Sequence, residues 1–360
     1  MSLARHSRLA LVLATFACLV DACSQQHDLP PRASADAGAV TVGYQTLIDP
    51  GKVPQADARL RQALGGQVQW QLFSSGPAVV AALASGAIQI GHIGSVPLAT
   101  ALSRHLPIIV FMISSQTRGA EALVVRQSIT APAQLKGRLI ATPFGSTAHY
   151  SLLNALQHWA VPAEQVRLVN LNPGDIAAAW RRGDIDGAYV WSPALSLLQQ
   201  HGRTLVDSGQ VARWGAPTFN VWVARAEYAQ RHPQALRRFV HVLQQDYIAY
   251  NRDPGPWARA HAGEISRLTG VAAADVPAML AGSLYPEAAS QTSAELLGGG
   301  AASQTAVTAR FLRQQNVIQS TLPDYRPGFS AAYIEAAAMA AETPTPPDAL
   351  ASRYPEASAP

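Results

Sequence analysis

The sequence predicts an α/β fold built as two similar lobes. Three observations predict it. Strand-like and helix-like runs alternate up to about residue 224, one part of that pattern echoes another, and 360 residues suffice for two ordinary domains. The strand-like runs are VTVGY at 40–44, then 68–73, 88–93, 108–114, 122–126, 138–142, 166–170 and 187–190. Between them the spacing predicts helices starting at Pro77, Pro97 and Gly174 and one over 147–160. Such alternation predicts mostly parallel strands. After Ala224 the pattern turns almost purely helical, at 233–251, 257–268, 275–281 and 304–315.

The echo is between ALASGAI at 82–88 and AWRRGDI at 179–185. Each ends a helix on Gly, the residue suited to the position just past a helix end, and enters a strand. Each strand is followed by Ser and then Pro, as Ser95-Val96-Pro97 and as Ser192-Pro193. Proline suits a first helical turn because its missing N–H would have had no partner there. Chance repetition of common α/β grammar is the plainer reading. The sharper one is two lobes, each presenting a strand end and a helix N-terminus to a shared cleft.

The ends of the chain read differently. Arg5 and Arg8 precede an apolar run at 9–20 broken only by Thr15. That run is too short for a membrane span of ~20 residues and fits an export signal over 1–22. Val20-Asp21-Ala22-Cys23 resembles a bacterial lipoprotein box with an unusual Asp21, so Cys23 is a candidate lipidation site. Ordinary cleavage near Ala22, without lipid, is the alternative. Residues 23–39 read as a polar linker, and the Pro-rich, apolar-poor segment at the C-terminus as disordered. The Ala-rich stretch at 330–341 can add a helix.

Composition narrows the function. Hydrophobic residues are 48% and charged residues 14% of the chain, which fits a core-rich globular protein. The formal charge is +4, and the only lysines are Lys52 and Lys136. No basic block marks a nucleic-acid partner. Cys18 and Cys23 are the only cysteines, both in the leader region. The body therefore has no disulfide, thiolate metal site or cysteine nucleophile to offer. No GxSxG, P-loop, HExxH or paired-carboxylate motif is present. The sequence predicts no metal, no cofactor and no catalytic residue.

Anion recognition is the strongest local signal. Phe144-Gly145-Ser146-Thr147-Ala148-His149-Tyr150 follows a strand and opens a helix. Gly lets backbone approach a ligand, Ser146 or Thr147 can cap the helix, and the free N–H groups favour an anion. A plain capped helix is the commoner use of such a sequence. Ser74-Ser75-Gly76-Pro77 and Gly94-Ser95-Val96-Pro97 pose the same question in the other lobe. Trp191 closes a strand, where ligands of open α/β sheets bind, and could pack on an alkyl chain or a cation; core filling is the equal alternative. Trp214, Trp222 and Trp257 have no such context.

Longer motifs carry a resemblance. They include Gly43-Tyr44-Gln45-Thr46, the run from Ser75-Gly76 to Ser85-Gly86, Gln89-Ile90-Gly91, Gly94-Ser95, and Glu121-Ala122-Leu123-Val124-Val125. They continue with Pro143-Phe144, His149-Tyr150-Ser151-Leu152-Leu153, Arg182-Gly183-Asp184 through Trp191, and Trp214-Gly215-Ala216-Pro217-Thr218. From about Val40 to Leu322 the chain resembles the taurine-binding periplasmic proteins of bacterial ABC importers, within the wider sulfonate and nitrate solute-binding group. The resemblance implies a type II two-lobed fold with two hinge strands: residues 40–125 and 223–328 in lobe 1, 126–222 in lobe 2, and 329–360 as an extension. It implies Gln45, Gly94, Ser95, Ser146, Thr147 and Tyr150 as candidates for a sulfonate, with His149 beside them, and Glu121 and Trp191 as candidates for an ammonium. Three departures stand out: Asn220 where Asp is usual, His92 where Asn is common, and Val96 where Ser is common. Asn220 accepts from an ammonium more weakly than a carboxylate, so a broader sulfonate preference is expected.

The resemblance thus implies a monomeric extracytoplasmic protein. It would capture taurine or a related sulfonate and deliver it to a permease driven by a cytoplasmic ATPase. Alternatives are a binder of alkanesulfonate or nitrate, an enzyme resembling the pyrimidine-precursor synthases on the same fold, and a signalling receptor domain. The missing cysteine cluster and the export signal disfavour the enzyme.

Overall fold

A computed structural model describes residues 39–335. The expected export signal, the lipidation site Cys23, most of the linker and most of the C-terminal extension lie outside the described residues.

The apolar strand runs assemble into two sheets. The first has the order β11-β4-β10-β3-β1-β2 and the second β7-β6-β8-β5-β9. The first contains β1 (Val40–Tyr44), β2 (Val68–Leu72), β3 (Ile90–Gly94), β4 (Ile108–Thr117), β10 (Phe219–Arg225) and β11 (Ser283–Leu284). The second contains β5 (Glu121–Arg126), β6 (Leu139–Thr142), β7 (Arg167–Asn170), β8 (Gly187–Trp191) and β9 (Gly202–Asp207). β3 and β8 are buried throughout, as expected of strands covered on both faces.

The two sheets share a plan. β1 lies between β2 and β3 and pairs in parallel with both. β6 lies between β7 and β8 and does the same. Beside this trio runs one antiparallel strand, β10 against β3 and β5 against β8. Most strands of each sheet run in one direction, as expected, and β10 and β11 in the first sheet and β5 in the second run against them, so each sheet is mixed. Strands β5 and β10 are the ones by which the chain enters the second sheet and returns to the first, and they run against the local crossover direction.

This also moves the expected lobe boundaries. The chain leaves the first sheet at 118–120 and re-enters it by Phe219, so 121–125 belong with the second sheet and 219–222 with the first. The two crossings are bonded together, Thr117 N–H donating to Thr218 O at 3.0 Å. Arg118 and Ala120 both donate to Gly282 O, at 3.1 and 2.9 Å. A Cβ at Gly282 would sit 2.6 Å from the Ala120 nitrogen, so glycine is required for that approach.

The internal echo has a structural basis. Gly86 and Gly183 both end helices with φ near +80°, at 80° and 84°, the left-handed region that favours glycine. Each stands just before the third strand of its parallel trio.

The helices after β10 pack on the first sheet. Phe239 meets Phe111 and Trp222 edge-to-face at 5.9 and 5.1 Å between ring centres. Gln291 acts as a surrogate peptide beside β4: it donates to Ile113 O at 2.6 Å and accepts from Ile113 N–H at 2.9 Å. There the β10 register shifts, and the amide satisfies groups the ladder leaves free.

Candidate functional site

Three helices begin at the cleft between the sheets. They are Gly76–Ser85 and Ser95–Ser103 from the first lobe and Thr147–His158 from the second. Their first N–H groups have no intrahelical acceptor and carry the positive end of the helix dipole. The sequence sets this up. Gly76 lets its helix start against Pro97, since a Cβ there would fall 2.6 Å from Pro97 Cγ. Gly94 lets Thr147 of the opposite lobe come close, because a Cβ there would lie 2.7 Å from Thr147 Cγ2. Gly145, in the left-handed region at φ 75°, sits against Pro77.

These approaches bring the lobes together. Tyr150 and Phe311 add an edge-to-face contact across the cleft, 5.0 Å between centres. What remains between the helix N-termini is a polar pocket of about 10 Å³ lined by Gln45, Gly94, Glu121, Ser146, Thr147, Trp191 and Asn220, with Leu47, Gly76 and Pro97. That is room for about one water. The Gly94–Thr147 approach holds this space closed.

Seven of the ten residues expected at the site thus line one pocket. Three do not. Ser95 is fully buried just behind it, its Oγ accepting from Phe219 N–H at 3.4 Å; its own hydroxyl proton stays available. Tyr150 is turned toward Phe311 and serves the contact between lobes. His149 stacks on Phe144 at 4.5 Å, and its Nδ1 accepts from Gly145 N–H. Burial lowers its pKa to about 4, so the ring is neutral.

Hydrogen bonds divide the work within the pocket. Ser146 caps its helix, accepting from His149 N–H at 3.2 Å and donating to Pro143 O at 2.6 Å. Its hydroxyl is spent on the backbone. Thr147 donates its hydroxyl to Glu121 Oε1 at 2.5 Å, so that proton is not free for a ligand anion. Ser208 donates to the other oxygen at 3.4 Å. Burial pushes the Glu121 carboxyl up to about 7 against these two donors. Glu121 stands directly across the ladder from Trp191. The Trp191 indole N–H is buried with no acceptor among the described residues. A donor suits a sulfonate oxygen; only the ring face suits an ammonium.

In the first lobe Gln45 donates to His92 O at 3.1 Å. Asn220 donates to Ser115 Oγ at 3.1 Å and more distantly to Thr117 Oγ1, which leaves its carbonyl oxygen to accept. His92 is buried, bonded through Nε2 to Ser114 Oγ at 2.6 Å and stacked on Trp222. Burial and the nearby Lys52 ammonium hold its pKa well below the usual range, so it adds no charge.

Sequence reasoning missed Asp49 and Lys52, both buried just past β1. Lys52 donates to Gln45 O at 3.3 Å and to Gln55 Oε1 at 3.4 Å, and its ammonium lies 5.0 Å from the centre of the Tyr44 ring. The available signal was its rarity: it is one of two lysines in the chain. Ser115 and Thr117, which orient Asn220, carried no signal. Among the described residues no group of acidic, His or Cys side chains is arranged to hold a metal ion.

Two sheets joined by two crossings, with helix N-termini and a buried carboxylate meeting between them, define a two-lobed solute-binding protein. Over residues 38–249 the chain matches the substrate-binding domain of the ABC-type glycine betaine transport system, and it belongs to this family. It is 46% identical over 297 residues to the taurine-binding periplasmic protein of Escherichia coli (strain K12), across 81% of this chain and 91% of that one. Among solved structures it shares its fold with the alkanesulfonate-binding protein SsuA of Xanthomonas axonopodis pv. citri bound to MOPS. The TM-score is 0.68 at 21% identity, covering 81% of this chain and 98% of the other. The desulfurization enzyme DszB also has this fold, with TM-score 0.58 at 17% identity over 84% and 99% of the two chains.

Proposed function

We propose that this protein captures taurine or a related small sulfonate outside the cytoplasm and hands it to the permease of an ABC importer. The observation that carries the reading is the pairing of opposite poles in one closable pocket. Three helix N-termini offer backbone donors to a permanently charged sulfonate, and Glu121, with Trp191 beside it, offers a carboxylate and a ring face to an ammonium. The 46% identity to a taurine-binding protein supports the same ligand class. Closing on the ligand by motion about the two crossings at 118–120 and 216–218 is the step that a permease would sense.

Binding without chemistry is the reading adopted, although an enzyme shares the fold. No cysteine follows Cys23, the Ser146 hydroxyl is committed to Pro143 O, and Thr147 donates to Glu121, the carboxylate that this reading assigns to the ammonium.

The test is competitive calorimetric titration of taurine, ethanesulfonate, nitrate and sulfate. Taurine and ethanesulfonate should bind at one site, within about tenfold of each other, because Asn220 leaves the amine pole one charge short. Asn220→Asp should shift the ratio toward taurine by about tenfold, ~1.4 kcal/mol. No binding of either sulfonate would sink the reading; an unchanged ratio would remove Asn220 as a selectivity element.

A further inference from the structure

Glu121 is 2% exposed, and no Lys, Arg or His of the described residues forms an ion pair with it. Beside it lies a group of hydroxyls that the ligand reading does not use. Ser151, Tyr189 and Ser208 are all fully buried, and none of them lines the polar pocket.

The Ser208 oxygen is the node of this group. It lies 3.4 Å from Glu121 Oε2, 3.2 Å from Ser151 Oγ and 3.0 Å from the Tyr189 hydroxyl. A serine has one proton and two lone pairs, so it donates to one of these neighbours at a time and accepts from others. With Glu121 ionised, Ser208 donates to Oε2 and Tyr189 donates to Ser208. With Glu121 protonated, the carboxyl O–H donates to Ser208, and the Ser208 proton turns to Ser151. The carboxyl keeps its partner in both states. The backbone fixes the place of Ser208 while its hydroxyl turns. It opens the helix Ser208–Arg213, which Asp207 caps by accepting from Gln210 N–H at 2.7 Å.

The other titratable and charged groups around Glu121 are occupied or neutral. Burial pushes the Tyr189 hydroxyl up, so it stays protonated. Asp207 serves its cap, His149 is neutral and stacks on Phe144, and Arg118 on the crossing forms no ion pair among the described residues.

We propose that Ser208, backed by Tyr189 and Ser151, is a positioning residue for Glu121: its reversible hydroxyl lets one carboxyl meet an ammonium as a carboxylate and a plain alkyl end as a neutral acid. This rests on the reading of Glu121 as the ammonium partner. Selectivity between amino and plain sulfonates is then set by a side chain that touches neither.

The experiment titrates the processed protein calorimetrically with taurine and with ethanesulfonate, from about pH 5 to about pH 8, across the window in which Glu121 ionises. Taurine affinity should rise with pH and ethanesulfonate affinity should fall, through one midpoint near 7, because one carboxyl serves both. Ser208→Ala removes a donor to the carboxylate. It should move both midpoints up together by about half a pH unit or more, weakening taurine about threefold below the midpoint and leaving its upper plateau nearly unchanged. Tyr189→Phe should move them the same way by less, and it decides the matter if Ser208→Ala does not fold. A merely structural loss would weaken both ligands at every pH and leave the midpoint in place. That outcome, or two profiles that rise together, overturns the proposal and leaves the sulfonate reading intact. Failure of both sulfonates to bind overturns that reading as well.

Discussion

The third parallel strand of each sheet meets the cleft in opposite ways. β3 ends on Gly94, and a helix starts at once behind it. β8, its counterpart, ends on Trp191. The two positions follow the same grammar, a left-handed glycine, a buried strand and a Ser before Pro. Yet one presents bare backbone and the other the largest side chain available. The difference shows how a zwitterion site is divided. An anion is best met by N–H groups fixed in helix termini, which cost no side-chain entropy to order. The organic end must be met by side chains, since only they vary in shape and charge. On the proposed reading, Gly94 would leave any sulfonate to backbone donors, and Glu121, Trp191 and Asn220 would set which one is preferred.

The largest expected effect breaks the backbone pole. Gly94→Val puts carbon where Thr147 Cγ2 must come, 2.7 Å from the new Cβ. Binding of every sulfonate should fall more than a hundredfold, about 3 kcal/mol. The backbone there is extended, at φ −81° and ψ 165°, so valine is tolerated and the melting temperature should hold. Calorimetry beside a thermal melt checks both. Normal taurine binding would mean that the lobes do not close around Gly94.

Next comes the side-chain pole. Glu121→Gln should weaken taurine by one to two factors of ten and ethanesulfonate by much less. Its pH dependence has two opposite signs. With its carboxyl pushed from 4.5 to about 7 by burial, the folded, empty protein holds a proton that the unfolded chain has released. Stability therefore falls as pH rises from about 4.5 to 7, by about 3 kcal/mol in all. Taurine affinity rises over that window and levels off above it, because the ammonium needs the carboxylate ionised. Subtracting the Glu121→Gln profiles from wild type isolates both trends. Parallel profiles would place the ammonium elsewhere.

The smallest effect sharpens the role of Trp191. Trp191→Phe keeps a ring face and removes the indole N–H. If Trp191 belongs to the organic pole, taurine should weaken by no more than about fivefold, ~1 kcal/mol. A loss above tenfold would show the unpartnered N–H serving the sulfonate, and would blur the division between the two strands.

Much of this was legible locally. The strands at 40–44 and 187–190, the helix over 147–160 and the two capping glycines follow from periodicity and from conformations that only glycine adopts cheaply. The strands β9, β10 and β11 did not announce themselves. β10 follows Ala216-Pro217-Thr218 without a turn signal that separates it from the second lobe, and its partners β3 and β4 are more than a hundred residues away. Pairing at that distance is set by the sheet that receives the strand, not by its own residues.

The sequence, with the resemblance it carries, supplied the residue types suited to the proposed zwitterion site. These are glycines at helix starts, a Ser146 cap, one acidic residue at Glu121 and an aromatic at Trp191, because each acts through a conformation or a chemistry of its own. Tertiary structure decided their partners. Thr147, an anion candidate by position, donates to Glu121, and Tyr150 serves lobe contact through Phe311. Asp49, unremarkable in sequence, becomes a buried carboxylate in the first lobe. A hydroxyl or carboxylate bonds to whatever the other lobe brings within about 3 Å, and that distance is fixed only when the lobes meet.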